Sequence, residues 1–385
     1  MMSVRTLVSA AIFLGLFLGL NLLIGWNGSL FWGAVLPPAF MTLYWILYGI
    51  IALSYLAAMI LRRVLPYQLY TWFKLIGAYG MAFLFYSLLL VPAGNLAAWL
   101  LRLAGMDAEA TVLLVGWFVV SLLLLLLLRG SANAWRPIVR RYDITIDKQA
   151  GAFRELRIAA ASDLHLGTIV GKRHLRRLVH IVDELSPDLV LLPGDVLDDS
   201  IEPFVRENMA EVMQELKAPL GVYASLGNHE YYGGHITEYI ERMRAIGIEV
   251  LVDRTVHVDD SFYVAGRADK AAEGLEPGRL PIASLLHDLD RSQPVIVLDH
   301  QPYGYRLAAE AGADLILSGH THRGQMAPNH WITRRLFDLD WGYLQINKLH
   351  AIVSSGFGTW GPPIRIGSRS EVLDIHITFR SPAEG

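Results

Sequence analysis

The 385-residue chain contains no cysteine. That absence excludes disulfides, thiolate metal sites and a thiol nucleophile. A basic excess is missing too. Lys and Arg number 33 against 36 Asp and Glu, a net charge of −3, so the chain has no electrostatic footprint for nucleic acid. Charge of either sign is scarce in the first third. Up to residue 128 the only charged side chains are Arg5, Arg62, Arg63, Lys74, Arg102, Asp107 and Glu109. No internal repeat is present, and the one low-complexity tract is a leucine run at 122–128. With 53% hydrophobic residues, the chain is too apolar for an ordinary soluble protein and long enough for more than one unit.

The apolar excess is concentrated in four runs, 6–26, 39–61, 75–91 and 110–128. Each approaches the ~20 residues that a helix needs to cross a bilayer. Arg5 precedes the first run, but the run is long for a signal peptide and no Ala-x-Ala site follows, so an uncleaved anchor is expected. Basic residues follow the second run (Arg62, Arg63, Lys74) and the fourth (Arg129, Arg136, Arg140, Arg141), whereas 27–38 carries no charge. The positive-inside rule then places both termini in the cytoplasm. Trp26, Trp32, Trp72, Trp99 and Trp135 fall near the predicted interfaces, and 95–105 reads as a short interfacial helix. The runs hold no acid, base or histidine of the kind a transporter places at mid-membrane. The expected organisation is a multi-pass cell-membrane anchor over 1–128, a basic linker with a first strand over 129–153, and a folded domain over 154–385.

In that last domain, apolar runs at 156–161, 189–192, 221–226, 295–298 and 315–317 read as buried strands. Helical periodicity marks 174–185 and 204–216, with further helices expected at 238–246 and 305–311 and a closing strand at 371–379. Alternating strands and helices predict an α/β domain with largely parallel pairing. Each strand run is followed by a polar stretch: Asp163-Leu164-His165, Gly194-Asp195-Val196-Leu197-Asp198, Gly227-Asn228-His229-Glu230, a lone His300, and Gly319-His320-Thr321-His322. Ligands bind at the carboxyl ends of such strands. Carboxylate, amide and imidazole donors suit Mn, Fe or Zn.

Asp-x-His, Gly-Asp-x-x-Asp, Gly-Asn-His-Glu, His and Gly-His-x-His, in this order, resemble the calcineurin-like metallophosphoesterases over roughly 154–380. The resemblance implies a two-sheet sandwich flanked by helices, here preceded by an all-α transmembrane region. It implies two divalent metal ions, Mn first, with Zn or Fe as alternatives. Asp163, His165 and His322 would hold one ion, Asn228, His300 and His320 the other, and Asp195 would bridge. His229 would protonate the leaving group, oriented by Asp198. Two cations lower the pKa of bound water, so hydroxide between them would be the nucleophile. Asn228 and Arg323 would balance charge on the phosphoryl oxygens. The stretch 356–365 resembles a tail of a membrane-associated bacterial branch. That branch usually has Gly where Arg323 stands, a departure that bears on substrate rather than on the metals.

Two function classes are compatible with these features. One is an integral-membrane hydrolase of a phosphomonoester, phosphodiester or pyrophosphate, with lipid-linked substrates such as a UDP-diacylglucosamine in range. The other is a membrane sensor or scaffold that binds a phosphorylated ligand without turnover; the complete ligand set argues against it. His174, His180, His235, His257 and His287 lie outside the motifs and are expected to be packing or surface residues. The segment 326–350 carries Trp331, Ile332, Leu336, Phe337, Trp341, Tyr343 and Leu344 among Arg334, Arg335 and Lys348. Either these aromatics pack beneath a long loop or they form a lip suited to a bilayer. The orientation has a direct check: a reporter fused after Gly385 is expected to work only in its cytoplasmic form, and a periplasmic or extracellular signal would overturn it.

Overall fold

The structure, a computed structural model, describes residues 4–380. It divides into two units, Met1–Gly130 and Ser131–Gly385.

The first unit is helical: α1 (Val4–Val35), α2 (Met41–Leu61), α3 (Tyr67–Leu103) and α4 (Ala108–Trp135), the last continuing into the second unit. All four are long and apolar enough to cross a membrane. The expected third run is the middle of a 37-residue helix that passes through Pro92. The separate interfacial helix expected at 95–105 is therefore not formed; residues 95–103 extend α3 and 104–105 turn out of it. Small residues let α2 and α3 approach closely, as in membrane bundles. Ser54, Ala58, Ala78 and Ala82 are buried. A Cβ at Gly77 would come within 2.2 Å of the Tyr55 amide nitrogen.

Among the described residues, the second unit holds twelve strands: β1 (Ile138–Ile146), β2 (Glu155–Ala160), β3 (Leu189–Pro193), β4 (Val222–Ser225), β5 (Ile248–Leu251), β6 (Arg254–Val258), β7 (Phe262–Gly266), β8 (Val295–Leu298), β9 (Leu315–Ser318), β10 (Gly342–Ile346), β11 (Leu349–Val353) and β12 (Glu371–Phe379). They form two six-stranded sheets, ordered β1-β12-β2-β3-β4-β5 and β10-β11-β9-β8-β7-β6. Pairing is parallel from β2 through β5 and from β7 through β9 to β11. The antiparallel pairs are β12 with β2, β6 with β7 and β10 with β11.

Strand periodicity accounts for the layers. Successive side chains point to opposite faces. Leu189 and Leu191 of β3, Ile296 and Leu298 of β8, and Leu315 and Leu317 of β9 meet in one core between the sheets. Their neighbours turn outward. Val190 and Leu192 pack with Leu175, Leu178 and Val182 of helix Lys172–Leu185. Val295, Val297 and Ile316 pack with Tyr305 and Ala308 of helix Tyr305–Ala311. Both faces are covered, which is why these strands read as unbroken apolar runs. The single helix expected over 204–216 is two short ones, Glu202–Arg206 and Ala210–Met213. The chain breaks at Asn208, whose φ of 49° is left-handed.

His174 is a packing residue, as expected. It is buried, stacks on Phe357 with centroids 4.3 Å apart, and sits 3.1 Å by Nε2 from the Phe357 carbonyl. Burial pushes it down to about 4 against that carbonyl, with Arg177 and Arg365 adding to the effect. The unfolded chain therefore takes up this proton first. The stability concerned is complete above the ordinary imidazole value of about 6.5 and is lost as pH falls towards 4. It amounts to roughly 3 kcal/mol at most. His174→Phe should flatten the decline of melting temperature between pH 7 and 5 in metal-loaded protein. An unchanged decline would remove His174 as its source.

Candidate metal centre

The polar stretches lie immediately beyond the carboxyl ends of β2, β3, β4, β8 and β9. The backbone turns sharply there. Asp163, His165, Asp195, His320 and His322 all have φ between 47° and 70°. Non-glycine residues avoid that region, and such strain clusters at functional sites. The glycines in the motifs make room for the donors. A Cβ at Gly227 would fall 2.1 Å from Asp195 Oδ1, and one at Gly319 2.1 Å from Asp163 Oδ2.

The turns gather donors, all buried except the partly exposed His320, into three sets, each with ligand atoms within 4.8 Å of one another: Asp163, His165 and His322; Asp195, His300 and His320; and His165, Asp195 and His229. The first two sets divide as the resemblance implies. Asn228 joins the second, its Oδ1 2.8 Å from His320 Nδ1. The third brings His229 to the same carboxylate, its Nε2 4.0 Å from Asp195 Oδ2.

The donors suit a cation. His300 Nδ1 lies 2.9 Å from the Pro193 carbonyl, which fixes the proton on that nitrogen. Nε2, also buried, lies 3.0 Å from Asp195 Oδ2, so either a proton or a metal ion must stand between the two atoms. Two electron-rich atoms face each other and need positive charge between them. His165 Nε2 and His322 Nε2 meet similarly at 2.9 Å, with Asp163 Oδ1 3.4 Å from the latter. Burial pushes His165 down to about 3 and His320 down to about 4. Both are thus neutral imidazoles, the form that binds metals.

His229 differs from the other histidines. Burial opposes its charge, but Asp199, Asp195 and Asp198 outweigh burial and raise it to about 9. Its Nδ1 is 2.8 Å from Asp199 Oδ1 and 4.0 Å from Asp198 Oδ1. The close contact expected from Asp198 is made here by Asp199, the adjacent residue, whose backbone is left-handed (φ 56°). Asp198 stands between two rings, 3.9 Å from His165 Nδ1. Arg323 is stacked on Trp341, 3.9 Å above the ring, and its amide nitrogen donates to Thr321 Oγ1.

Two residues of the centre had no role assigned from sequence. Glu230 accepts from the backbone N–H groups of Asp195, Leu197 and Gly227 at 3.1, 2.8 and 2.7 Å, bolting the turn after β3 to the turn after β4. Burial and Asp195 push its carboxyl up to about 7, against those donors. The signal was its place in Gly-Asn-His-Glu. Arg365, from the 356–365 tail, is fully buried. It donates to the Ser355 and Gly358 carbonyls at 2.6 and 2.5 Å, and its Nη2 is 3.0 Å from His322 Nδ1. It thereby fixes the ring so that Nε2 faces Asp163 and His165. Arg365→Met should leave these carbonyls unpaired, at about 1–3 kcal/mol each. Elemental analysis should show less metal per chain than in wild type, alongside a lower melting temperature. Full metal retention would show that Arg365 serves only the tail.

Comparison with known proteins bears on this centre. Residues 156–324 match the family model described as calcineurin-like phosphoesterase. A transmembrane protein with metallophosphoesterase domain from Danio rerio is 33% identical over 258 residues, covering 64% of this chain and 59% of that protein. An uncharacterized metallophosphoesterase from Aquifex aeolicus is 32% identical over 244 residues, covering 62% of this chain and 91% of that protein. One from Campylobacter jejuni is 32% identical, covering 63% of each. The chain thus spans less than two thirds of the Danio and Campylobacter relatives, but nearly all of the Aquifex one. By that coverage and identity, together with the donor set at the strand ends, the chain belongs to the metallophosphoesterase family.

Proposed function

We propose that this chain is a membrane-anchored phosphohydrolase with two divalent metal ions, manganese first among them. The observation that carries the reading is the buried donor set, in which Asp195 stands between the histidines of two clusters. Asp163, His165 and His322 would hold one ion, and Asn228, His300 and His320 the other, with Asp195 shared. When bound, such a pair supplies an activated water and neutralises charge on the phosphoryl oxygens. The chain's own residues do the rest. Asn228 can turn an amide donor to a phosphoryl oxygen. His229, held by Asp199, carries a proton at neutral pH and can give it to the departing oxygen. Stacking on Trp341 fixes Arg323, whose N–H edge can meet phosphate.

The substrate is proposed to be a phosphoester presented at a membrane. Trp331, Ile332 and Leu336 of helix His330–Leu336 are 58–65% exposed, beside Arg334 and Arg335. Phe337 and Trp341 are only partly exposed and pack against residues outside the segment, Phe337 on Tyr303 and Trp341 beneath Arg323. The segment therefore divides: some of its aromatics serve packing, while one helix offers Trp, aliphatic and Arg side chains of the kind that enter a membrane interface. A cytoplasmic position for the domain follows from the Lys/Arg distribution and is part of the same proposal.

The test uses full-length, Mn-loaded protein in nanodiscs. His229→Ala should keep its metal and lose about 10²–10⁴-fold in kcat, less for acidic leaving groups. The double variant Trp331→Ser, Leu336→Ser should lose more kcat/KM on a bilayer-borne phosphoester than on a soluble one. Retained turnover in His229→Ala across a leaving-group series would remove the proton-donor role. Equal losses on both substrates would reduce the helix to a structural element.

A further inference from the structure

Aromatic side chains beside the centre fall into two sets. Trp360 (59% exposed) and Tyr232 (69% exposed) flank His229, with ring centroids 6.5 and 5.9 Å from its imidazole. Phe337 lies 6.0 Å from His320 and 5.0 Å from Tyr303. Lys270 Nζ sits 3.9 Å above the Tyr303 ring. Between the sets the donors run in contact. His229 is 4.6 Å from His165, centroid to centroid, and His300 is 5.3 Å from His320. Asp195 joins the halves, 4.0 Å from His165 and 3.0 Å from His300. One aromatic pair therefore stands at each end of the row.

Core packing does not account for the first pair. The Trp360 amide donates to Gln325 Oε1 at 3.1 Å, and Gln325 Nε2 donates to the Trp360 and Pro362 carbonyls at 2.9 Å each. Gln325 is buried. Its amide locks the peptide while the indole stays in solvent. An exposed indole on a fixed backbone can bind without much further ordering, and Trp and Tyr are the side chains that most often anchor contacts. Tyr232 extends from helix Asn228–Gly233, the helix that carries His229. At the other end, Lys270 places a cation over a half-exposed ring, next to where an anionic group would lie.

A phosphomonoester has one organic arm and needs one apolar wall. Walls at both ends of the donor row fit a phosphate with two arms. We propose that the centre takes a phosphodiester with two apolar arms, the leaving arm on Tyr232 and Trp360 and the retained arm on Phe337 and Tyr303. This rests on the hydrolase reading above and names its substrate class. In the reaction, water adds its oxygen to phosphorus. The P–O bond to the leaving arm breaks, its electron pair stays on that oxygen, and the oxygen takes a proton from His229. One proton of the water replaces the one His229 gave, and the other stays with the monoester or passes to solvent. The products are an alcohol and a phosphomonoester that keeps the second arm.

The test compares three esters with one leaving group on full-length, Mn-loaded protein: p-nitrophenyl phosphate, methyl p-nitrophenyl phosphate and hexyl p-nitrophenyl phosphate. Wild type should favour the hexyl over the methyl diester roughly tenfold or more in kcat/KM, from burial of the added methylenes. Both diesters should exceed the monoester. Phe337→Ser and Tyr303→Ser should each cut the hexyl-to-methyl ratio about threefold or more. Trp360→Ser should lower both diesters and hold the ratio. Because the ratio is internal to each preparation, a variant that folds partially still gives it. A wild-type ratio near one, a ratio untouched by both retained-arm variants, or faster turnover of the monoester would overturn the two-armed site while leaving a hydrolase. No turnover of any ester by protein shown to hold metal would instead overturn the hydrolase reading beneath it.

Discussion

The centre depends on one buried carboxylate. Asp195 is 2% exposed and lies 3.0 Å from His300 and 4.0 Å from both His165 and His229. Its charge holds His300 well above the usual imidazole range although burial opposes that, and it adds to the rise at Asp163 and Glu230. A buried carboxylate without compensation is costly. The surrounding chain is arranged to fix it. Asp195 Oδ1 accepts from the His229 amide at 2.9 Å, Glu230 holds its own amide, and Gly227 has no Cβ to displace it. Negative charge that remains would be balanced by divalent metal held among these donors.

The two sheets bear the cost of this arrangement. Several of the donors sit in left-handed backbone, a conformation of roughly 1–3 kcal/mol each for residues with a Cβ. The strands that lead into them are buried on both faces, by the inter-sheet core and by outer helices. Rigid parallel strands set the starting points of the turns, and hydrogen bonds between turns set their ends. His320 N–H donates to Asp163 Oδ1 at 2.8 Å, and Gly358 N–H donates to the Asp163 carbonyl at 2.7 Å. The tail at 356–365 is therefore part of the centre, although it follows the last ligand by more than thirty residues.

Legibility in the sequence followed locality. Asp163, His165, Asp195, Asn228, His300, His320 and His322 were readable because each sits in a short polar stretch directly after an apolar run. The sandwich was readable because doubly covered strands are continuous in Val, Ile and Leu. Arg365 was not, because its carbonyl partners and His322 come together only through the fold. Asp198 and Asp199 are adjacent, and only the turn decides which reaches His229. The helix expected over 204–216 failed at Asn208, where a left-handed residue interrupts a correct apolar period. In the first unit, hydropathy found four long apolar helices but not their ends. The third run was read as ending at residue 91, yet α3 continues through Pro92, as apolar helices can where neighbours satisfy the freed carbonyl.

The central claim is a pair of ions bridged by Asp195. Anomalous diffraction at the manganese edge, from crystals of Mn-loaded protein, tests it most directly. The account predicts two peaks roughly 3.5–4 Å apart, one beside Asp163, His165 and His322, the other beside Asn228, His300 and His320, with Asp195 touching both. A single peak, or two peaks neither of which touches Asp195, would contradict it.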